Sequence, residues 1–499
     1  MFDQILEAAS HVFTFKTLIF VILGVSVGQL VGAIPGMTGT MVMAMLMPLS
    51  FSEPIWVGIP MLLGILKGAL FGGSISAIML KTPGTPAALA TTFDGYPLAK
   101  QGKGKKAIKM ALISSFFGDA FGTICLILFS GAIASIAIKL GPPEYTLIIL
   151  SALLLLGTLQ EGRSATAGIM SAGFGILLAT VGVDPILGVS RFNFDVSKLY
   201  SGLELVPLIM GLLTIPEILK EIKGINSNDQ QDITKVTIKN EDNKLKWKEL
   251  KGGTKTFIRS STIGTIIGAI PGLGSEVAGI VSYNQEVMSS KNPEKYGKGE
   301  IKGITAAESA NSASGGSDLI PYLSFGIPGD TSIAVIAGAF LVHGISTGPM
   351  MFEEHPVDVY AIFIALFLAS LMNLIIGQGF TPIITNILKI NKSILFPSVI
   401  VIAIAGAFSF SQDLFDVGTM VIFGLIGYGM MKLRIPVVPF IIAFILTPML
   451  ESQIRRTGVL MSSDNPILFL IQRPLFLILF LAILFMLFLL IKLQRKQKE

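Results

Sequence analysis

Apolar runs long enough to cross a bilayer recur along the chain, from "TLIFVILGVSVGQLVGAI" at residues 17–34 to "PLFLILFLAILFMLFLLI" at 474–491. Inside hydrocarbon no water is present to satisfy backbone N–H and C=O groups, so such runs must close their own hydrogen bonds as helices. A crossing needs about 20 residues. Dividing the runs at charged or Pro-rich breaks predicts an all-α polytopic membrane protein with roughly 10–14 transmembrane or re-entrant helices. Composition agrees: 52% of the 499 residues are hydrophobic, 14% are charged, and the mean hydropathy is +0.74. A soluble domain carries about 25% charged residues. The opening "MFDQILEAASHVFTFK" has no short apolar region ending in a small-residue cleavage site, so insertion is expected to use the first long helix.

Within this apolar sequence the helix-breaking pentapeptide "GAIPG" occurs twice, at Gly32–Gly36 and Gly268–Gly272. Each copy is followed by a Gly-Gly-Ser triplet and a second Pro-Gly, as "GGSISAIMLKTPGTP" in the first half and "GGSDLIPYLSFGIPGD" in the second. From Gly32 to Gly268, Gly72 to Gly315 and Pro83 to Pro328 the offsets are 236, 243 and 245 residues. Matching order at nearly constant offset marks an internal repeat. One hydrophilic stretch, 221–255, divides a first membrane repeat, 1–220, from a second, 256–499, which carries the C-terminal helices.

Charge orients these halves. The net charge is +5, and basic residues crowd into 100–109, 220–259, 291–302 and the tail "KLQRKQK". The positive-inside rule places these segments, with the C-terminus, on the cytoplasmic side, and flanking spans explain the lysines without any nucleic-acid partner. "SFSEPIW" and "MMFEEHPVDVY" lack Lys and Arg and face outward. In repeat register the basic 291–302 corresponds to "PLSFSEPIW", and the basic 100–109 to "MMFEEHPVD". Equivalent loops therefore lie on opposite sides, which predicts inverted-topology repeats. Both flanks of Ser260–Asn284 are basic, yet its 25 residues are too few for two crossings. The chain must enter and turn back near Pro271-Gly272, and near Pro35-Gly36 in the other half.

Irregular backbone at membrane depth is tolerated where protein buries it or where it lines a cavity, and its free N–H and C=O groups can bind solutes. Small polar residues surround the breaks: Thr38, Gly39 and Thr40; Gly274, Ser275 and Glu276; Lys81, Thr82 and Thr85; Asp330, Thr331 and Ser332. Hydroxyls, carbonyls and a carboxylate suit dehydrated Na⁺ or a proton, while half-helix N-termini offer N–H donors to a carboxylate. Ionisable residues inside apolar segments are functional candidates by default. Glu308, Asn311 and Ser312 share one helix face, fit either for lining a cavity or for bonding between helices. Lys67 and Lys81 could each attract a carboxylate, snorkel, or pair with Glu308 or Asp330. Asp94 is expected to start a cytoplasmic turn, and Glu451, Arg455 and Arg456 to form a structural helix-end cluster.

Cys125 is the only cysteine, and the histidines are His11, His343 and His355. That excludes a disulfide framework and argues against a Cys/His metal site. No Walker A, H-E-x-x-H or strand-borne G-x-S-x-G pattern occurs, so neither an enzyme nor a cofactor beyond the coupling cation is expected.

The stretches "GQLVGAIPG", "GGSISAIMLKTPGTPAALATTFDGYPLAKQGKGKKA", "VGVDPILGVSRFNF", "AIPGLGSEVAGIVSYNQE", "YGKGEIKGITAAESANSA", "LSFGIPGDTSIAVIAGAFLVHGISTGPMMF" and "FGLIGYGMMKLRIPVVPFIIAFILTPMLESQIRR" together resemble the large membrane subunit of the tripartite tricarboxylate transporters, the TctA-like family. The resemblance runs nearly end to end and is weakest around 226–246. It implies a secondary transporter of the bacterial inner membrane, driven by a Na⁺ or H⁺ gradient. It also implies a small four-helix membrane subunit (TctB-like) and an extracytoplasmic solute-binding protein (TctC-like) that delivers a small carboxylate such as citrate. Positions matching the family motifs are Pro35, Gly36, Thr82, Pro83, Gly84, Thr85, Pro86, Pro271, Gly272, Glu308, Asn311, Pro328 and Gly329. Two residues depart from the family pattern, which has an aromatic residue where Lys67 stands and Asn where Lys81 stands. Substrate is expected near the bilayer midplane, between the four Pro-Gly breaks. A single-component carboxylate–cation symporter is the main alternative, with a channel and a membrane-embedded enzyme behind it.

Overall fold

A computed structural model describes residues 2–158, 164–184, 187–225, 245–380, 392–461 and 466–498. Part of the hydrophilic stretch expected at 221–255, residues 226–244, lies outside them. The apolar runs are helical. Among the described residues six helices are long and apolar enough to cross a membrane: Phe15–Ala33, Ile55–Leu80, Thr91–Ala137, Pro356–Gly379, Leu414–Lys432 and Val438–Met461. Five shorter apolar helices accompany them. The protein is thus an all-helical, multi-pass membrane protein. Among the described residues the strands are β1 (Gly182–Val183) and β2 (Ser190–Arg191), an antiparallel pair.

In chain order the helices are α1 (Phe2–Val12), α2 (Phe15–Ala33), α3 (Gly39–Leu46), α4 (Pro48–Phe51), α5 (Ile55–Leu80), α6 (Thr91–Leu98), α7 (Gly104–Ala137), α8 (Pro142–Thr158), α9 (Ala165–Ala179) and α10 (Leu205–Ile225). Then follow α11 (Trp247–Gly268), α12 (Gly274–Ser289), α13 (Ile301–Ser317), α14 (Leu319–Phe325), α15 (Thr331–Val342), α16 (Met351–Glu354) and α17 (Pro356–Phe380). Helices α10 and α11 extend into the hydrophilic stretch from either side. The chain forms two compact units, Met1–Ala132 with Val206–Tyr428, and Ile133–Leu205 with Gly429–Glu499. Both sequence halves contribute to the first unit.

Glycines set the packing of that unit. Gly24, Gly28 and Gly32 recur every fourth residue and so line one face of α2. They lie against the backbone of Met61, Ile65 and Ala69, while Gly64, Gly68 and Gly72 of α5 lie against Val21, Val25 and Gln29. Both series rise together, so α2 and α5 run parallel in close contact, as small-xxx-small faces allow. In the second half Gly264 and Gly268 of α11 lie against Ala310 and Ser314 of α13, again parallel. Between them α12 runs back along α11: Ile267 packs with Ala278 near the turn, and Arg259 pairs with Glu286 farther out. From Arg259 to the end of α11 is about 14 Å of helix at 1.5 Å per residue, roughly half of a 30 Å hydrocarbon core. Across the halves, Leu70 meets Gly315, Ser74 faces Glu308, and Asp94 beyond the end of α5 meets Gly303 near the start of α13. Helices α5 and α13 therefore pass in opposite directions.

Candidate transport site

Each "GAIPG" ends one helix and precedes another: α2 stops at Ala33 and α11 at Gly268. The equivalent residues Gly36 and Gly272 have φ of 92° and 94°, a region that favours glycine because it has no Cβ. The later breaks also correspond. Helix α5 ends on Lys81 at φ 59°, and α14 ends on Gly326 at φ 75°, both left-handed. These positions are 245 residues apart, the offset of the Pro-Gly pairs.

The four breaks converge. Gly84 packs so tightly on the Gly32 carbonyl that a methyl group would overlap it. In the second half the Gly272 N–H donates to the Gly329 carbonyl at 2.8 Å, joining Pro271-Gly272 to Pro328-Gly329. Two contacts then cross between halves. Thr40 and Ser332 share a hydroxyl hydrogen bond of 2.9 Å, and the Ala87 carbonyl lies against Gly279 of α12. Thr38 caps α3 by accepting the Met41 N–H at 3.2 Å, and Asp330 caps α15 by accepting the Ile333 N–H at 2.8 Å. Gly274, the first residue of α12, lies against Asp330. The positive ends of α3, α12 and α15 thus gather around the breaks, where helix dipoles favour an anion. Gly39 packs on Ala69, and Thr85 is buried against Gly73 with a hydroxyl that meets no partner among the described residues. Pro35, Thr82, Pro83, Ser275 and Thr331 are half-buried around the breaks, and Glu276 is exposed in the first turn of α12. Glu221, near the end of α10, sets its carboxylate against Gly36.

A buried polar column runs beside the breaks. Glu308, Asn311 and Ser312 are fully buried on α13. Thr91 donates to Glu308 Oε1, and Ser115 bonds Ser312 at 2.5 Å. Glu308 Oε2 and both amide atoms of Asn311 have no hydrogen-bond partner among the described residues. Lys67 pairs with Asp119 of α7, Nζ to Oδ1 at 2.6 Å, with side-chain exposures of 0% and 1%. The sequence pattern offered Glu308 or Asp330 as its partner. Asp119 supplants them because Gly118 and Gly122 let α7 approach α13 closely beside α5. Glu308 feels the charge of Asp119, and Asp318, also buried, feels those of Lys67 and Asp330. Lys81 is not in this column: it is exposed, with Nζ 5.9 Å from the Tyr96 ring.

Asp94 differs from its expected place at a turn, since it lies inside α6. Its Oδ1 accepts the N–H groups of Gly299 and Glu300, each at 2.8 Å, and its Oδ2 accepts the Tyr283 hydroxyl at 2.9 Å. These bonds tie α6 of the first half to the second half, so Asp94 acts as a structural clamp. Asp119 and Asp318 escaped the sequence reading, although an ionisable residue inside an apolar run was the available signal.

A family model described as "Tripartite tricarboxylate transporter TctA family" matches residues 18–442. An "Uncharacterized 52.8 kDa protein in TAR-I ttuC' 3'region" of Agrobacterium vitis is 33% identical over 448 residues, which cover 90% of this chain and 88% of that protein. An "Uncharacterized protein in TAR-II ttuC' 3'region" of the same organism is 32% identical over 201 residues, 40% of this chain and 83% of that one. No solved structure matches. A family model spanning most of the chain and a relative aligned over nine-tenths of it lead to one conclusion: this chain belongs to the tripartite tricarboxylate transporter TctA family.

Proposed function

We propose that the protein is the large permease subunit of a binding-protein-dependent secondary transporter that imports a small di- or tricarboxylate. The observation that carries this reading is the convergence of the α3, α12 and α15 N-termini at the four Pro-Gly breaks. Three positive helix ends gathered at half-buried breaks suit a carboxylate, and broken helices at a repeat interface are the usual setting for a transported solute. Membership of the family supports a membrane component of a tricarboxylate transporter rather than an enzyme. It also supports partnership with a small TctB-like membrane subunit and a TctC-like solute-binding protein.

The halves are proposed as inverted repeats that place substrate near the midplane, with α11–α12 as a re-entrant hairpin. The opposite passage of α5 and α13, the parallel pairs α2–α5 and α11–α13, and the matched left-handed positions support this arrangement. Basic loops and the C-terminus are assigned to the cytoplasmic side of a bacterial inner membrane. A cation gradient, Na⁺ or H⁺, drives uptake.

Uptake of labelled citrate and related acids into proteoliposomes holding the chain with both partners tests the reading. Gradient-dependent accumulation that requires the binding protein is the expected result. Equal uptake without it turns the chain into a stand-alone symporter, and dissipative flux indifferent to any gradient indicates a channel.

A further inference from the structure

We propose that Lys67 and Asp119 form a proton-controlled carboxylate receptor, in which a proton taken up on Asp119 frees the Lys67 ammonium to hold the carboxylate being carried. The inference rests on the carboxylate-transport reading and adds the coupling ion and the two side chains that couple it.

The pair is held at 2.6 Å with both side chains buried. Lys67 and Lys106 are the only buried Lys or Arg side chains among the described residues, and Lys67 alone has no exposure. An anion reaching this interior has one fixed cation to meet, and Asp119 already occupies it. Displacing Asp119 while it is charged would strand a buried carboxylate. Its second oxygen, Oδ2, is buried and accepts no hydrogen bond among the described residues, which leaves it open to a proton.

Glu308 of α13 feels the charge of Asp119, and Asp318 at the α13–α14 junction feels those of Lys67 and of Asp330 at the start of α15. Asp94 of α6 is engaged with Tyr283, Gly299 and Glu300. Helix α7 itself carries Lys105, Lys106 and Lys109 near its start, Lys106 paired with Glu249, and Cys125 beyond Asp119. Helix α2 brings only Lys16, which is paired with Glu53 at its outer end, and α3 and α4 bring none. On α17, Asp358 lies beside Ile55 and Ile59, two turns before Lys67, and His11 of α1 stacks on Trp56. A Na⁺ placed at Asp119 would sit against the tethered ammonium and be repelled strongly at low dielectric. A proton also gives up the attraction between Asp119 and Lys67, but as an O–H bond it leaves one charge at the pair, where a bound Na⁺ leaves three.

The step balances. On the uptake side a proton from bulk water forms an O–H bond at Asp119 Oδ2. The Nζ–Oδ1 ion pair opens, and the ammonium pairs with the substrate carboxylate. On the release side that O–H bond breaks, the proton leaves to the cytoplasm, and Asp119 recaptures Lys67 and displaces the carboxylate. One proton and one carboxylate charge cross together, with no change of oxidation state.

The test uses the full chain with its partners in proteoliposomes and labelled citrate. An inside-alkaline pH gradient without Na⁺ is expected to drive accumulation in the wild type. Asp119→Asn is expected to make citrate exchange insensitive to pH and to abolish accumulation on a pH gradient. Lys67→Met is expected to lower uptake about tenfold or more. Because the single Lys67 change strands a buried carboxylate and weakens the fold, Lys67→Met/Asp119→Asn supplies a neutral pair whose melting stays near wild type while coupled uptake is lost. Wild-type accumulation driven by a Na⁺ gradient at clamped pH, or pH-driven accumulation by Asp119→Asn, overturns the receptor. An infrared pH-difference spectrum without citrate reads the pair by itself: a protonated-carboxyl band removed by Asp119→Asn is expected, and no such band in the wild type overturns the proposal. Citrate exchange absent while that band is present overturns the carboxylate-transport reading instead.

Discussion

Two clusters in this protein pair carboxylates with cations. In the second compact unit Arg191 grips Glu451 through both guanidinium nitrogens at 2.8 and 3.2 Å. Arg455 bonds Glu451 and Asp184, each at 2.5 Å. Two cations meet two carboxylates, and both arginines are about a quarter exposed, 26% and 29%. Arg456, the third member of the expected helix-end cluster, is exposed and outside it. In the first unit one ammonium, Lys67, serves an interior holding Asp119, Glu308, Asp318 and Asp330, and oxygens of Asp119 and Glu308 find no hydrogen-bond donor among the described residues. In the arginine cluster the carboxylates are held by two guanidinium groups in a half-wet setting, where ion pairs contribute little, and the atom left without a partner among the described residues is a donor, Arg191 Nε. The lysine cluster has acceptor capacity left over in a dry one, where an unmet charge is costly. Unmet acceptor oxygens on buried carboxylates, rather than charge itself, distinguish the lysine cluster from the arginine one.

The sharpest way to break this contrast is to remove one member of each cluster and compare unfolding. Lys67→Met leaves Asp119 buried and unpaired, and should destabilise the purified protein by about 3–5 kcal/mol, with most of the loss recovered in Lys67→Met/Asp119→Asn. Thermal melting in detergent reads both. Next in size is the crowding at the breaks. Gly84→Val must push against the Gly32 carbonyl, a strain of about 1–3 kcal/mol, and uptake should fall more steeply than the melting temperature. If Gly84→Val transports normally, the breaks do not form the site.

Arg455→Gln should cost about 1 kcal/mol or less and leave uptake within a factor of two, because Arg191 still holds Glu451. A larger loss of uptake would erase the distinction drawn between the clusters. The smallest effect is expected at Lys106 and Glu249, an ion pair joining α7 to the first turn of α11. Burial raises the Glu249 carboxyl, but hydrogen bonds from Lys106 and the Lys246 N–H outweigh it and hold the group below the usual glutamate range. Its contribution is therefore present above that range and lost as the pH falls through the lowered value. Acid melts of wild type and Lys106→Met should converge at low pH and differ by roughly 0.5 kcal/mol near neutrality.

Much of the architecture was legible in the chain. Runs of apolar residues become helices because hydrocarbon leaves the backbone no other partner. The repeated "GAIPG" turns with the same positive φ at Gly36 and Gly272, since the same residues face the same local constraint. Glu308, Asn311 and Ser312 share a buried face, as their spacing implies. Lys81 was harder to read. A lysine beside Thr-Pro-Gly-Thr-Pro resembles a ligand in sequence, yet it ends α5 in the left-handed conformation that Gly326 adopts in the other half, and its side chain is exposed. Asp94 looked like a turn residue because Asp-Gly favours turns, but three donors from the second half hold it inside a helix.

By itself the sequence determined that the chain is a membrane protein and where its helices break. Each of these follows from hydropathy and backbone chemistry over a few neighbouring residues. Tertiary structure alone decided that Lys67 meets Asp119, 52 residues away, and that Thr40 meets Ser332, 292 residues away. Such partners depend on how closely helices approach and in which direction they cross. Those properties are set by glycine faces on several helices at once, and no single segment encodes them.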